Sequence, residues 1–298
     1  MFKEAQLYAP VTTSADGSVT VHLSDDHPGF ADTRYRERRN LIASLALDWQ
    51  PGRSLPHATY SEEEQEVWRT VRRELAAKHE RLACAEYRDA MARLALPADH
   101  IPQLDEVSDA LRPLTGFEYR PAAGLVPFDQ FYGSLADGVF HSTQYLRHPS
   151  LPLYTPEPDL IHEVIGHGGM LASPRFAELN RSAGRAARRL QTEEGRDFFA
   201  HVFWFTIEFG VLYERGELRA YGAGLLSSFG EIEEFRGAEI RPLEIAAMGV
   251  KDYDITRYQP VLYAAGSIEQ LLEVVGAFFE ECDDDTPARL AAGAPARP

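Results

Sequence analysis

Four prolines, Pro149, Pro152, Pro156 and Pro158, stiffen the approach to Asp159, and an apolar run begins directly behind them. Proline fixes its own φ and restrains the residue before it, so residues 150–159 read as a stiff loop. The run that follows, Leu160-Ile161-His162-Glu163-Val164-Ile165-Gly166-His167, is apolar enough to demand burial, and it carries two imidazoles and a carboxylate inside. Buried ionisable groups are costly unless they are paired or hold a metal. The zinc-protease pattern places its two histidines four residues apart around a glutamate. Here the residue four after His162 is Gly166, and the second histidine comes one later. Five residues turn an ideal α-helix through about 500°, leaving the two side chains about 140° apart. Both reach one ion if the helix bends, bulges or ends at Gly166, where glycine makes distortion cheap.

A third ligand is needed. The chain has only Cys84 and Cys282, near opposite ends, which excludes a disulfide framework and any multi-cysteine zinc or iron–sulfur site, and points to the reducing cytoplasm. The natural candidate is Glu208, an acid inside the aromatic run Phe203-Trp204-Phe205-Thr206-Ile207-Glu208-Phe209. Two histidines and one carboxylate on one face of an ion leave open positions, an arrangement that suits non-haem Fe(II) activating O2 beside a substrate. On the residues alone other readings stay open. The histidines can be ordinary core or solvated groups, Glu208 can reach the surface, and Glu163 can be a surface acid. The same trio with Glu163 as base would make a zinc hydrolase, and a non-catalytic helical interaction protein would need no metal at all.

Periodicity predicts helices over residues 33–47, 61–82, 85–94, 104–111, 128–140, 160–165, 174–192, 196–213 and 267–279. Ser61 with Glu64 forms a capping-box signature at the second of these. Short extended pieces are expected near 115–127, at 217–221 and within 253–264. The fold class is mostly α with small β elements. One domain is expected over residues 31–282, between an irregular arm at 1–30 and a disordered acidic, Ala/Pro-rich tail at 283–298. With 46 acidic against 30 basic side chains, the net charge of −16 repels phosphate backbones, so nucleic acid is not expected as a partner. No apolar stretch approaches the roughly 18 residues of a membrane span, and the first residues lack the apolar core of a signal peptide.

Several longer stretches, in order, resemble the pterin-dependent aromatic amino acid hydroxylases, the family of the phenylalanine, tyrosine and tryptophan hydroxylases. They are Thr115-Gly116-Phe117 with Arg120-Pro121, Thr143-Gln144-Tyr145-Leu146-Arg147-His148, the proline-rich loop into the histidine pair, and Ala220-Tyr221-Gly222-Ala223-Gly224-Leu225-Leu226-Ser227-Ser228-Phe229-Gly230-Glu231. The similarity runs from about Leu104 to Phe279. It implies a single catalytic domain that uses Fe(II), tetrahydropterin as cosubstrate, and O2, with His162, His167 and Glu208 as iron ligands. By the same resemblance, Arg147 holds the substrate carboxylate, a task suited to a guanidinium fork. Thr155 and Ser227 would fix the amino acid backbone, while Trp204, Pro158, His141 and Ile255 would surround its ring. Phe131 would stack on the pterin, with Val126, Glu163, Phe203 and Ala200 around it.

Within the family, Trp204 with His141 resembles a phenylalanine hydroxylase, and an apolar Ile255 argues against a phenol substrate. The expected reaction is hydroxylation of L-phenylalanine at the 4-position. The alternatives are 3-hydroxylation to meta-tyrosine and hydroxylation of tryptophan. The chain departs from the family at Gly168-Gly169-Met170, where two glycines are expected to loosen the backbone beside an iron ligand and could move the hydroxylation site. Phe203 stands where mammalian members often carry tyrosine. A monomer or weak dimer without an allosteric phenylalanine site is expected.

Overall fold

Helix boundaries follow the local capping chemistry. The Ser61 hydroxyl accepts the Glu64 N–H at 3.2 Å and the Glu64 carboxylate accepts the Ser61 N–H at 2.7 Å, and this reciprocal pair opens α2 (Glu62–Leu82). Its Val67, Val71 and Leu75 form a buried stripe. The computed structural model describes residues 11–293 apart from 16, 26, 125 and 256. Before α2 lie a hairpin of β1 (Val11–Thr13) and β2 (Val19–Val21), and α1 (Thr33–Asp48). The irregular arm expected at 1–30 therefore contains a hairpin. Its Val21 N–H donates to Asn40 of α1 at 2.8 Å.

After α3 (Ala85–Arg93) and α4 (Leu104–Thr115), the parallel strands β3 (Glu118–Pro121) and β4 (Val139–Ser142) flank α5 (Phe128–Ser134). The helix expected over 128–140 thus stops early. Gly138 turns the chain at φ 73°, and Val139 to Ser142 pair with β3 instead. A buried apolar run reads alike as strand or helix.

A π-helical segment, His162–Gly168, continues into α6 (Gly169–Leu171) and is followed by α7 (Pro174–Ala187). The next helix, α8 (Glu193–Phe203), passes into a second π-helical segment, Trp204–Glu208. The helix expected over 196–213 is thereby cut short, because Val211 and Leu212 enter a sheet. Strands β5 (Val211–Glu214) and β6 (Glu217–Ala220) form a hairpin through Arg215 and Gly216, both at positive φ. Helices α9 (Ala223–Ser227) and α10 (Glu231–Glu234) lead to β7 (Glu239–Pro242), α11 (Ile245–Gly249) and β8 (Val261–Ala265). The sheet order is β6-β5-β8-β7, with β8 parallel to both of its neighbours.

The chain closes with α12 (Ile268–Glu281) and α13 (Thr286–Ala291). Residues 283–293 are therefore not the disordered tail expected. Asp284 accepts the N–H groups of Gln191 and Thr192 ahead of α8 at 2.9 and 3.0 Å, and Asp283 pairs with Arg289 at 2.6 Å. The acids that looked like solvated charge dock the tail. Residues 294–298 lie outside the described residues. One hydrophobic core runs from Val67 to Cys282, and no described helix is long and apolar enough to cross a membrane.

Candidate metal centre and substrate cleft

In a π-helical turn the hydrogen bonds run from i to i+5, so residues five apart come onto one face. That resolves the spacing of His162 and His167, whose ring centroids lie 4.7 Å apart at 84°. The second segment has the same character: the Phe209 N–H donates to the Trp204 carbonyl at 2.9 Å. It delivers Glu208, whose Oε1 lies 3.1 Å from His167 Nε2 and whose Oε2 lies 3.6 Å from His162 Nε2. Close packing of α9 needs glycine on both sides. A Cβ on Gly166 would sit 2.7 Å from the Ala223 carbonyl, and one on Gly222 2.4 Å from the Glu208 carbonyl.

The two glycines after His167 do not loosen the chain. Gly168 and Gly169 hold ordinary right-handed helical angles, and a Cβ on Gly169 would meet the Tyr87 ring at 2.4 Å and the Met91 sulfur at 2.7 Å. Gly169 lets α3 approach this helix closely, and Gly168 leaves room for the Tyr119 hydroxyl, 3.1 Å from where its Cβ would be.

The protonation pattern fits a metal. Burial, then His167, lowers the His162 pKa to about 4, so its imidazole is neutral at pH 7. Ser227 spends its hydroxyl proton on the Ala223 carbonyl (2.8 Å) and faces His162 Nδ1 at 2.8 Å. This pattern assigns the His162 proton to Nδ1 and leaves the Nε2 lone pair for a cation. For Glu208, burial opposes the charge, but His167 and then His162 outweigh it and hold the carboxyl below its usual range. Its Oε2 is buried without a hydrogen-bond partner, an orphan that a cation would satisfy. Glu163 competes for the third place. It is fully buried, not a surface acid, and offers an oxygen within 4.8 Å of both imidazole nitrogens. Glu208 is the better ligand because each of its oxygens faces a different imidazole across the site.

His162 and Glu208 open into a cleft of about 830 Å³, its mouth included. Arg147, Thr155, Pro158, Trp204, Ser227 and Ile255 line the same cleft, so six of the seven expected substrate residues come together. The seventh, His141, is not among the lining residues. It sits on β4 facing Ser134 at 3.2 Å and Gln130 at 3.4 Å. Arg147 pairs with Asp159 through Nε at 2.8 Å and Nη2 at 2.9 Å, both side chains buried. This ion pair lies inside the protein rather than on its surface. Asp159 also accepts the backbone N–H of Arg147 at 2.8 Å and of His162 at 3.3 Å.

None of the expected pterin residues is among those lining this cleft. Phe131 meets Phe140 at 5.9 Å, and Phe140 packs on His167 at 4.7 Å. Phe203 contacts Tyr132, Val126 is buried, and Ala200 is half-buried on α8.

Sequence reasoning missed Arg39, Tyr253 and Gln259, and gave no role to Glu231. Arg39 of α1 pairs with Glu157 at 2.7 Å and lies over the Tyr145 ring at 3.2 Å, pinning the proline-rich loop. A buried arginine on an exposed-looking helix carries no local signal for a partner so distant in sequence. Burial raises the Glu231 carboxyl to about 7 from 4.5, against the N–H it accepts from Gln259. Between these two values the folded chain keeps a proton that the unfolded chain has lost, so stability falls as pH rises through the window. The loss is about 3 kcal/mol. Glu231→Gln should flatten this part of the profile, read as urea unfolding at about pH 5 and about pH 7.5. An unchanged slope would show that Glu231 ionises alike in both states.

The profile of the family described as biopterin-dependent aromatic amino acid hydroxylase matches residues 13–289. A phenylalanine 3-hydroxylase of Streptomyces coeruleorubidus is 49% identical over 271 residues, which cover 91% of this chain and 97% of that one. The phenylalanine-4-hydroxylase of Rattus norvegicus is 40% identical, over 88% of this chain and 59% of its own length, so the chain spans little more than half of that animal relative. The apo cold-active phenylalanine hydroxylase of Colwellia psychrerythraea 34H superposes with a TM-score of 0.74 at 33% identity, covering 80% of this chain and 92% of that one. A Chromobacterium violaceum phenylalanine hydroxylase holding iron(III) and 7,8-dihydrobiopterin gives 0.70 at 26% identity, covering 80% and 85%.

Proposed function

The chain belongs to the biopterin-dependent aromatic amino acid hydroxylases, and from that membership we propose that it hydroxylates the ring of L-phenylalanine. The observation that carries the reading is the trio His162, His167 and Glu208, set by two π-helical segments, with His162 and Glu208 opening into a cleft that has one buried guanidinium and an apolar wall. These three residues would hold Fe(II), which together with a reduced pterin supplies the activation of O2 when bound. The protein's own part is positional. Arg147 presents its remaining N–H groups to the substrate carboxylate while Asp159 holds the guanidinium still. Trp204, Pro158 and Ile255 exclude water around the ring, and Ser227 orients His162. Phe131, Val126, Glu163, Phe203 and Ala200 would form the pterin side.

Ring position 3 has more support than the 4-position ranked first from sequence. The relative named as a 3-hydroxylase is 49% identical across 97% of its length, against 40% across 59% for the rat 4-hydroxylase. The test is incubation with Fe(II), a tetrahydropterin and O2, offering phenylalanine, tyrosine and tryptophan separately and identifying products by NMR. meta-Tyrosine is expected from phenylalanine. para-Tyrosine would return the reading to the 4-position. Turnover with Zn(II) and no need for O2 or pterin would replace the oxygenase reading with a hydrolase. We further place the protein in the cytoplasm as a monomer or weak dimer, in keeping with two buried free cysteines. A tetramer in sedimentation velocity would contradict the assembly state.

A further inference from the structure

Trp204 is held at three points. Its ring stacks on Tyr253 with centroids 4.1 Å apart and planes 9° apart, tilts against Phe209 at 4.5 Å, and donates its Nε1–H to Gln259 Oε1 at 3.1 Å. Gln259 is 5% exposed, and both ends of its side-chain amide and its backbone N–H are engaged. Its Nε2 donates to the carbonyls of Asp254 at 2.9 Å and Arg257 at 3.1 Å, and its backbone N–H donates to Glu231 at 2.7 Å. Asp254 and Arg257 lie on either side of Ile255, which lines the cleft together with Trp204. One neutral amide therefore ties the aromatic wall to the loop that carries the apolar wall. A buried side chain with both a donor and an acceptor end is needed for this, which glutamine supplies and a carboxylate or an aliphatic group does not.

We propose that Gln259 is a positioning residue that fixes Trp204 and the Ile255 loop to one another and thereby decides which carbon of the substrate ring is hydroxylated. Neighbouring ring carbons are one bond length apart, so a wall displaced by about 1 Å is enough to change the carbon presented, the scale at which misplacement is felt in catalysis. This rests on the reading of the cleft as an aromatic amino acid site.

The experiment compares the iron-loaded wild type with Gln259→Leu, Gln259→Glu, Trp204→Phe and the Gln259→Leu/Trp204→Phe double variant. It reads the ratio of 3- to 4-hydroxylated product, the pterin oxidised per product formed, the iron content, and amide exchange of residues 250–260 without substrate. Gln259→Leu should change the product ratio at least fivefold, raise pterin consumption per product, and speed exchange of the loop amides at least tenfold, with iron content unchanged. The double variant should change the ratio by less than the two single effects combined, since one of the amide's bonds runs to the indole and the others to the loop. Should Gln259→Leu fail to fold, Gln259→Glu carries the same test, because it has the same shape but lacks both donors to the loop. A wild-type product ratio in a folded, iron-replete Gln259 variant would overturn the proposal, as would additive effects in the double variant. A wild type that hydroxylates no aromatic amino acid would overturn the underlying reading and this inference with it.

Discussion

Glu208→Ala should abolish iron binding and lower phenylalanine hydroxylation by at least about 10³-fold, since even the outer partners of metal ligands are commonly worth about 10–100-fold. The carboxylate gives one oxygen to the side of each imidazole, and the orphaned Oε2 has no other cation to meet. Removing it leaves two imidazoles and no carboxylate between them, a weaker site for a hard divalent ion. The measurement is iron stoichiometry after anaerobic loading, with circular dichroism to show that the fold persists. Glu163→Ala is the informative partner, because Glu163 also offers an oxygen to the histidine pair. It should retain the metal. If Glu163→Ala loses iron while Glu208→Ala keeps it, the third ligand is Glu163.

Arg147→Ala should raise the KM for phenylalanine at least about 100-fold and also cost stability, since breaking a buried ion pair from one side commonly costs about 3–5 kcal/mol. The lower end is expected, because Asp159 would still accept the backbone N–H groups of residue 147 and His162. That shared carboxylate links Arg147 to the start of the segment bearing His162 and His167, so a modest fall in iron affinity should accompany the KM effect. Arg147→Lys keeps the charge but cannot bridge both Asp159 oxygens, and should recover little of the KM. Steady-state kinetics with saturating pterin and chemical unfolding read the two effects separately. An unchanged KM in a folded, iron-loaded Arg147→Ala would remove Arg147 from substrate binding.

Much of this site is legible in the chain. Buried ionisable residues in apolar runs and the lack of cysteine ligands pointed to His162, His167 and Glu208 as candidates, the resemblance to the pterin-dependent hydroxylases named them as ligands, and the structure brings the three side chains together. The five-residue spacing also called for a distortion near Gly166, and the π-helical turn is that distortion. What could not be read was how the distortion is held. The approach of Ala223 to Gly166 and of Tyr87 to Gly169 depends on elements remote in sequence, and it gives those glycines a packing role rather than one of freedom. The ends of the helices at Ser134 and Glu208 were hidden for a simpler reason: buried strands such as Val139–Ser142 and Val211–Glu214 continue the apolar pattern of the helices before them. The docked tail escaped because acids that cap a neighbouring backbone look like solvated charge in a one-dimensional reading.

The paired π-helical turns carry a lesson for transplantation. Copying His162, His167 and Glu208 at their present spacings onto the straight helices of a designed bundle would aim the imidazoles at different sides of the scaffold. A working graft must carry the surplus residue in each wide turn, and the small-residue contacts from the neighbouring helix that keep it wide. The convergence of these three side chains is thus stored as helical register as much as in their identity.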